Sequence, residues 1–420
     1  MTKSIESVAL REAHCRYCRA PLTQSFVDLG SSPLSNAFIK PENFHCMEPF
    51  YPLHAYVCGT CFLVQLEEFE SPARIFEDYV YFSSYSRSWL EHARSYVDAM
   101  TQRFRLGQHS QIVEIASNDG YLLQYFKARD IPLLGIEPAE NVAKVAQAAG
   151  INTLVKFFGV QTAQALRAQG MRADLLLGNN VLAHVPDIND FVRGLKILLA
   201  DSGVVTMEFP HLLQLMRHNQ FDTIYHEHFS YLSLLTVEKI FEHHGLALFD
   251  VDELSTHGGS LRIYATHMEG KTHAVTERVA RLRQQELAAG LDRMATYTAF
   301  GQQVRETKRA LLDFLIRLKR ENKSIVGYGA PAKGNTLLNY CGIRTDFIDY
   351  TVDLNPHKQG LLLPGTRIPV YAPELIKTTR PDYVLILPWN LKDEVTAQLA
   401  YIREWGGKFV IPIPRPEVIV

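Results

Sequence analysis

Up to about residue 75 the apolar positions never hold a helical period for long: short strand-like runs are cut by Pro21, Pro33, Pro41, Pro49 and Pro52, which marks a small, turn-rich module. From 87 to 104 the period changes, and Leu90, Ala93, Tyr96, Val97 and Met100 fall on one helical face. The next segment, QIVEIASNDGYLLQYFKARD, reads as strand, tight turn and helix. PLLGIEP, ADLLLGNN and GVVTMEFP repeat the apolar strand pattern with helical stretches between them, the alternation of a parallel sheet with right-handed crossovers.

Residues 272–321 turn charged and helical, with Val304, Leu311, Leu315 and Leu318 on one stripe. After this connector KSIVGYGAPAKGNTLLNYCG returns to strand, glycine turn and helix, and DYVLILPWN and KFVIPIP supply further buried strands. The pattern divides the chain into an N-terminal module (1–75), a central α/β domain (76–268) and a helical connector with a second α/β domain (269–420). A length of 420 residues agrees with several domains, each with an interior of its own.

Composition narrows the partners. No apolar run reaches the roughly 18 residues of a membrane span, so no membrane partner is expected. The 43 basic and 45 acidic residues leave a formal net charge of −2, which gives no field to hold a nucleic acid. The first residues lack the basic start and apolar stretch of a secretory signal, and a cytoplasmic location is expected. A monomer is compatible with the sequence.

Four of the six cysteines form two Cys-x-x-Cys pairs, Cys15 with Cys18 and Cys58 with Cys61. In a reducing compartment that spacing favours a closed, tetrahedral zinc site of structural role over disulfides. The 39 residues between the pairs exceed a compact zinc-ribbon interval. Two reduced or redox pairs are the alternative, and Cys46 could replace one ligand; otherwise Cys46 and Cys341 are expected as isolated buried thiols.

The turn from Glu114 through Ala116, Ser117, Asn118 and Asp119 to Gly120 ends one strand and opens a helix, where small residues let a ligand approach. About twenty residues on, Glu137 ends the next strand with the acid that binds ribose hydroxyls in Rossmann-type sheets. G-x-G-x-x-G is absent, which disfavours NAD, whereas an acid at 114 ahead of the turn is typical of S-adenosylmethionine folds. Asn179, Asn180 and His184, at the end of the fourth strand, lie where the methionine end would rest, and Pro138 and Phe157 are assigned to the same pocket.

Together these features resemble the sugar-nucleotide C-methyltransferases that build branched deoxysugars. The resemblance covers nearly the whole chain: the two cysteine pairs, DLGSSPLSNAF at 28–38, YVYFSS at 79–84, EIASNDG, Tyr225-His226-Glu227-His228, His257-Gly258-Gly259 and GYGAPAK at 327–333. It implies a zinc-binding N-terminal module, a central Rossmann-like S-adenosylmethionine domain and a C-terminal Rossmann-like domain that helps enclose the nucleotide sugar. Methyl transfer to carbon needs a base to remove a proton beside a ketone and donors to stabilise the enolate. The resemblance implies that His228 is that base, that Tyr225 and Glu227 position the sugar or help move the proton, and that Tyr79 reaches the site from the N-terminal module. Tyr81, Ser83, Ser84, His257, Gly258, Lys333 and Asn335 are the expected substrate contacts. Amides at Gly327 and Gly329, with Lys333, would suit a diphosphate. The expected substrate is a dTDP-linked 4-keto-deoxysugar methylated at C-3.

Two rivals stay open on the residues alone. One keeps the cofactor but makes the acceptor an oxygen or nitrogen of a small molecule. The other is a non-catalytic nucleotide-binding protein, which leaves the Tyr225 to His228 cluster unexplained.

Overall fold

A computed structural model of the chain describes residues 13–71, 82–270 and 273–420. Strands β1 (Gln24–Ser32), β2 (Tyr51–Val57) and β3 (Val64–Leu66) form an antiparallel meander. Next come β4 (Ile112–Ile115), β5 (Leu133–Ile136), β6 (Thr153–Leu154), β7 (Ala173–Asn179), β8 (Leu199–Pro210), β9 (Ser230–Tyr231), β10 (Leu246–Leu254) and β11 (Ser260–His267). All but β9 make one seven-stranded sheet, ordered β10-β11-β8-β7-β4-β5-β6, with β11 antiparallel to both neighbours. The four residues of β4, at the sheet centre, are all buried, as a strand covered on both faces requires. Glu114 is therefore an acid in an otherwise apolar strand.

Strand β9 leaves that sheet and pairs antiparallel with β3, through Val64 with Tyr231 and Gln65 with Ser230. The N-terminal sheet thus takes its fourth strand from the central region. The third sheet holds β12 (Ile325–Tyr328), β13 (Thr351–Val352), β14 (Val370–Tyr371), β15 (Tyr383–Ile386), β16 (Lys408–Ile411) and β17 (Glu417–Ile419). Its order is β14-β13-β12-β15-β16-β17, parallel except for β17.

The helix over 87–104 forms as the pattern predicts, with Ser86 capping it through Trp89 N, although Trp89 rather than Leu90 is its first buried apolar residue. The charged connector is two helices, Glu277–Ala288 and Met294–Arg320. The longer one joins two modules: Phe300 stacks on Phe26 of β1 at 4.6 Å, and Val304, Leu311, Leu315 and Leu318 belong to the same apolar cluster as Ile325 and Leu337. A second cluster joins Cys15, Cys58 and Leu63 to Val113, Leu232 and Val237. The interiors expected to be separate are shared.

Candidate active site and zinc centre

The two cysteine pairs sit on matching turns. Cys15 N donates to Ala20 O at 2.8 Å and Cys58 N to Leu63 O at 3.0 Å; Arg19 N and Phe62 N donate back to Cys15 O and Cys58 O. Arg19 and Phe62, each just after the second cysteine, take positive φ of 63° and 64°. Such loops aim both thiols of a pair at one point, so the long spacer costs nothing in geometry; it holds β1, β2 and the loop between them. The four Sγ atoms lie within 4.8 Å of one another, with Cys15 to Cys61 at 3.6 Å and Cys18 to Cys58 at 3.5 Å. A tetrahedron with Zn–S bonds of about 2.3 Å has edges of about 3.8 Å, so the donors fit zinc. Gln65 Nε2 and Thr60 N donate to the sulfurs of Cys15 and Cys58, as thiolate ligands ask. Cys341 is buried as expected, but Cys46 is exposed on the 33–50 loop, outside this cluster.

At the end of β4 the chain turns sharply, with Ala116, Asn118 and Gly120 at φ of 55°, 50° and 81°. Alternating left-handed residues, two of them not glycine, cost free energy that a ligand-binding turn commonly stores. Glu137 organises the turn: its carboxylate accepts from Asn118 N and Ala139 N, each at 2.9 Å. Ser83 N and Ser84 N donate to Asn118 Oδ1 and Asp119 Oδ2 at 2.9 and 3.1 Å, so these two serines meet the cofactor turn through their backbone. Tyr79 and Tyr81 lie outside the described residues.

Glu114 is 1% exposed, and burial, then the charges of Asp119 and Glu137, push its pKa well above the usual carboxylate range. Tyr121 is a side-chain hydrogen-bond partner of its carboxylate and works to lower that pKa, while Asp119 Oδ1 and Asn180 Oδ1 are buried without a hydrogen-bond partner among the described residues. Three acids crowd one turn and lack a cation among those residues. A sulfonium ligand with an ammonium group supplies it, so the residues fit S-adenosylmethionine. Asn180 N reaches across to Glu208 O at 2.7 Å, Asn179 Nδ2 donates to the Tyr121 hydroxyl at 3.3 Å, Pro138 is half-buried and Phe157 is 48% exposed on the loop after β6.

Beyond Asn180 the chain brings His184 to His228, with ring centroids 4.6 Å apart and nearly perpendicular. Tyr225 covers the His228 ring at 4.1 Å. His228 Nδ1 lies 2.9 Å from Thr223 O. A carbonyl only accepts, so Nδ1 carries the hydrogen and Nε2 of the neutral ring is left as an acceptor. Burial first, then His184, His257 and Lys333, hold the His228 pKa well below the ordinary histidine value. His184 and His257 are each pushed down to about 4, chiefly by burial. His226 points away: its Nε2 donates to Pro52 O and its ring meets Tyr51 and Phe69.

Three modules meet here. From the N-terminal one, Asn36 Nδ2 donates to Glu227 Oε1 at 2.6 Å, and burial raises the Glu227 pKa to about 7. From the C-terminal domain, Lys333 Nζ donates to Asn390 Oδ1 at 2.7 Å and lies 4.4 Å over the Trp389 ring, whose Nε1 donates to Asp222 Oδ2 at 2.7 Å. Burial lifts the Asp222 pKa to about 6. His257 (φ 54°) meets Trp89 edge-on at 5.2 Å, and a Cβ at Gly258 would lie 2.6 Å from Trp389. Under them Glu208 accepts from His92, Arg262 and Thr256; burial works to raise its pKa, yet His92 and Arg262 hold it at about 2. Asn335 is a stitch between modules, its Nδ2 on Ser35 O at 2.6 Å.

The C-terminal glycine turn differs from the expectation of free amides. Gly327 N and Gly329 N donate to Tyr350 O and Val352 O, and Ala330 N to Asp353 Oδ2 at 2.7 Å. With a carboxylate already on that turn, the charge of Lys333 lies instead beside Asn390 and Trp389 and is felt at His228. Asp222, Asn36, Trp389 and Asn390 are not among the expected site residues, although Asn36 lies within the 28–38 stretch and Asp222 is an acid three residues before Tyr225.

Family models match along the chain: a zinc binding domain over residues 15–76, a methyltransferase domain over 89–251 and a C-methyltransferase C-terminal domain over 255–414. Among solved structures, the chain is similar to magnesium protoporphyrin IX methyltransferase from Synechocystis, with 15% identity over 42% of this chain and 83% of that one (TM-score 0.34). A methyltransferase from Clostridium acetobutylicum shows 10% identity over 42% of this chain and 92% of that one (TM-score 0.35). C-methyltransferase NovU from Streptomyces niveus is 35% identical over 405 residues, 96% of each chain. With that relative, a four-cysteine cluster that fits zinc and a cofactor turn whose acids lack a cation among the described residues, the chain belongs to the S-adenosylmethionine-dependent C-methyltransferases with a zinc-binding N-terminal domain, the family its motifs resemble.

Proposed function

We propose that the enzyme methylates C-3 of a nucleotide-linked 4-keto-deoxysugar, with dTDP as the nucleotide, and that His228 is the base. The observation that carries this reading is the tautomer of His228: a neutral imidazole whose Nδ1–H is committed to Thr223 O and whose Nε2 has its lone pair. A ketone at C-4 acidifies the C-3 proton. Nε2 takes that proton, and Lys333, whose charge acts on the same imidazole, balances the developing enolate charge. Tyr225 fixes the ring plane, and Glu227, near neutrality in its titration, holds or passes a proton. S-adenosylmethionine supplies an already activated methyl group, so the chain's own task is to orient the sugar and exclude water that would return the proton.

The test combines the purified enzyme and S-adenosylmethionine with a panel of dTDP-, UDP- and GDP-linked 4-keto sugars, read by mass spectrometry and by NMR at C-3. The dTDP sugar is expected to gain one methyl on carbon. With S-adenosylhomocysteine in heavy water, the wild type exchanges the C-3 proton. His228→Asn is expected to bind both ligands but neither exchange nor transfer; normal turnover by that variant overturns the reading.

A further inference from the structure

We infer that Arg16, inside the first zinc loop, is a positioning residue for His228, so that the metal centre aims the base as well as holding its own module together. Arg16 follows Cys15 and is only 9% exposed. Its guanidinium lies 5.2 Å over the ring of Phe229, the residue after His228. One arm donates to Pro186 O at 2.5 Å, two residues past His184; the other donates to Leu66 O in β3. The planar fork thus ties three segments at once, two of which end in the facing imidazoles.

Phe229 has little freedom of its own. Its N–H donates to Ala183 O at 2.8 Å and its carbonyl accepts from Leu66 N at 3.1 Å. Gln65 completes the link: its Nε2 donates to Cys15 Sγ, its Oε1 accepts from Arg16 N at 2.8 Å, and its backbone pairs with Ser230. From a metal-bound sulfur to the base there are two short routes, Cys15 to Gln65 to Ser230 and Arg16 to Phe229. A shift of about 1 Å in a reacting group costs on the order of 100-fold in rate, so the clamp needs only a small displacement to act.

This inference rests on His228 being the base, and the test separates the two. Arg16→Met, Arg16→Lys and Phe229→Leu are compared with the wild type for zinc content, melting temperature, C-3 proton exchange, kcat and KM for S-adenosylmethionine, and the His228 Nδ1–H signal in enzyme labelled with 15N-histidine. In Arg16→Met one zinc per chain is expected to remain, with exchange and kcat down about ten-fold or more, KM for S-adenosylmethionine unchanged and the Nδ1–H signal shifted. Arg16→Lys, which keeps the charge but not the fork, is expected to recover part of the rate. Wild-type exchange and an unmoved signal in Arg16→Met overturn the inference, as does a rate loss that only follows loss of zinc. Should Arg16→Met not fold, wild-type rates in both Arg16→Lys and Phe229→Leu overturn it. Exchange that persists in His228→Asn instead removes the underlying reading.

Discussion

For the proposed base His228, a hydrogen held on Nδ1 and a neutral ring leave Nε2 ready to accept a proton. Burial first, and then His184, His257 and Lys333, oppose protonation of His228, while the Thr223 carbonyl favours it. The neutral form therefore persists as pH falls past the ordinary histidine value of about 6.5. The acid limb of the pH–rate profile of kcat is expected below that value, and a limb at or above it contradicts the assignment. Glu227 works in the opposite sense, since burial holds its proton until about pH 7. Glu227→Gln is expected to remove an inflection near pH 7 from kcat/KM while the His228 limb stays. Gly258, at φ +86° with Trp389 in the way of any side chain, allows no substitution without strain. Gly258→Ala is expected to cost about 1–3 kcal/mol, read as a lower melting temperature.

Among the elements, those built from neighbouring residues were legible and those built across the chain were not. The cysteine loops, the Glu114 to Gly120 turn and Glu137 follow from turn chemistry within a few residues, so spacing was enough to find them. Asn36 on Glu227, Trp389 on Asp222 and Asp353 on the C-terminal turn depend on contacts between distant segments, and no local period announces those. The pairing of β9 with β3 is of the same kind: two residues carry no strand signal, yet they join the metal module to the segment of the proposed base. Loss of the metal is accordingly expected to reach further than the N-terminal sheet. Cys58→Ser is expected to lose zinc by elemental analysis and to lower both the melting temperature and the rate of methyl transfer.

For the molecule as a whole, the helix Met294–Arg320 packs β1 and the C-terminal core into one apolar cluster, and Trp389 on Asp222 ties the C-terminal domain to the central one. Trp389→Phe removes the indole donor from the Asp222 carboxylate and leaves a buried charge short of a partner, at about 1–3 kcal/mol. Calorimetry is expected to show a lower melting temperature for this variant. The shared strand also has a consequence during synthesis. A ribosome delivers the cysteine loops and the meander long before Ser230 and Tyr231, so a nascent chain presents Val64 to Leu66 as an open apolar sheet edge. Chains that stop short of that point would keep this edge exposed and self-associate, whereas each completed chain closes it with its own β9.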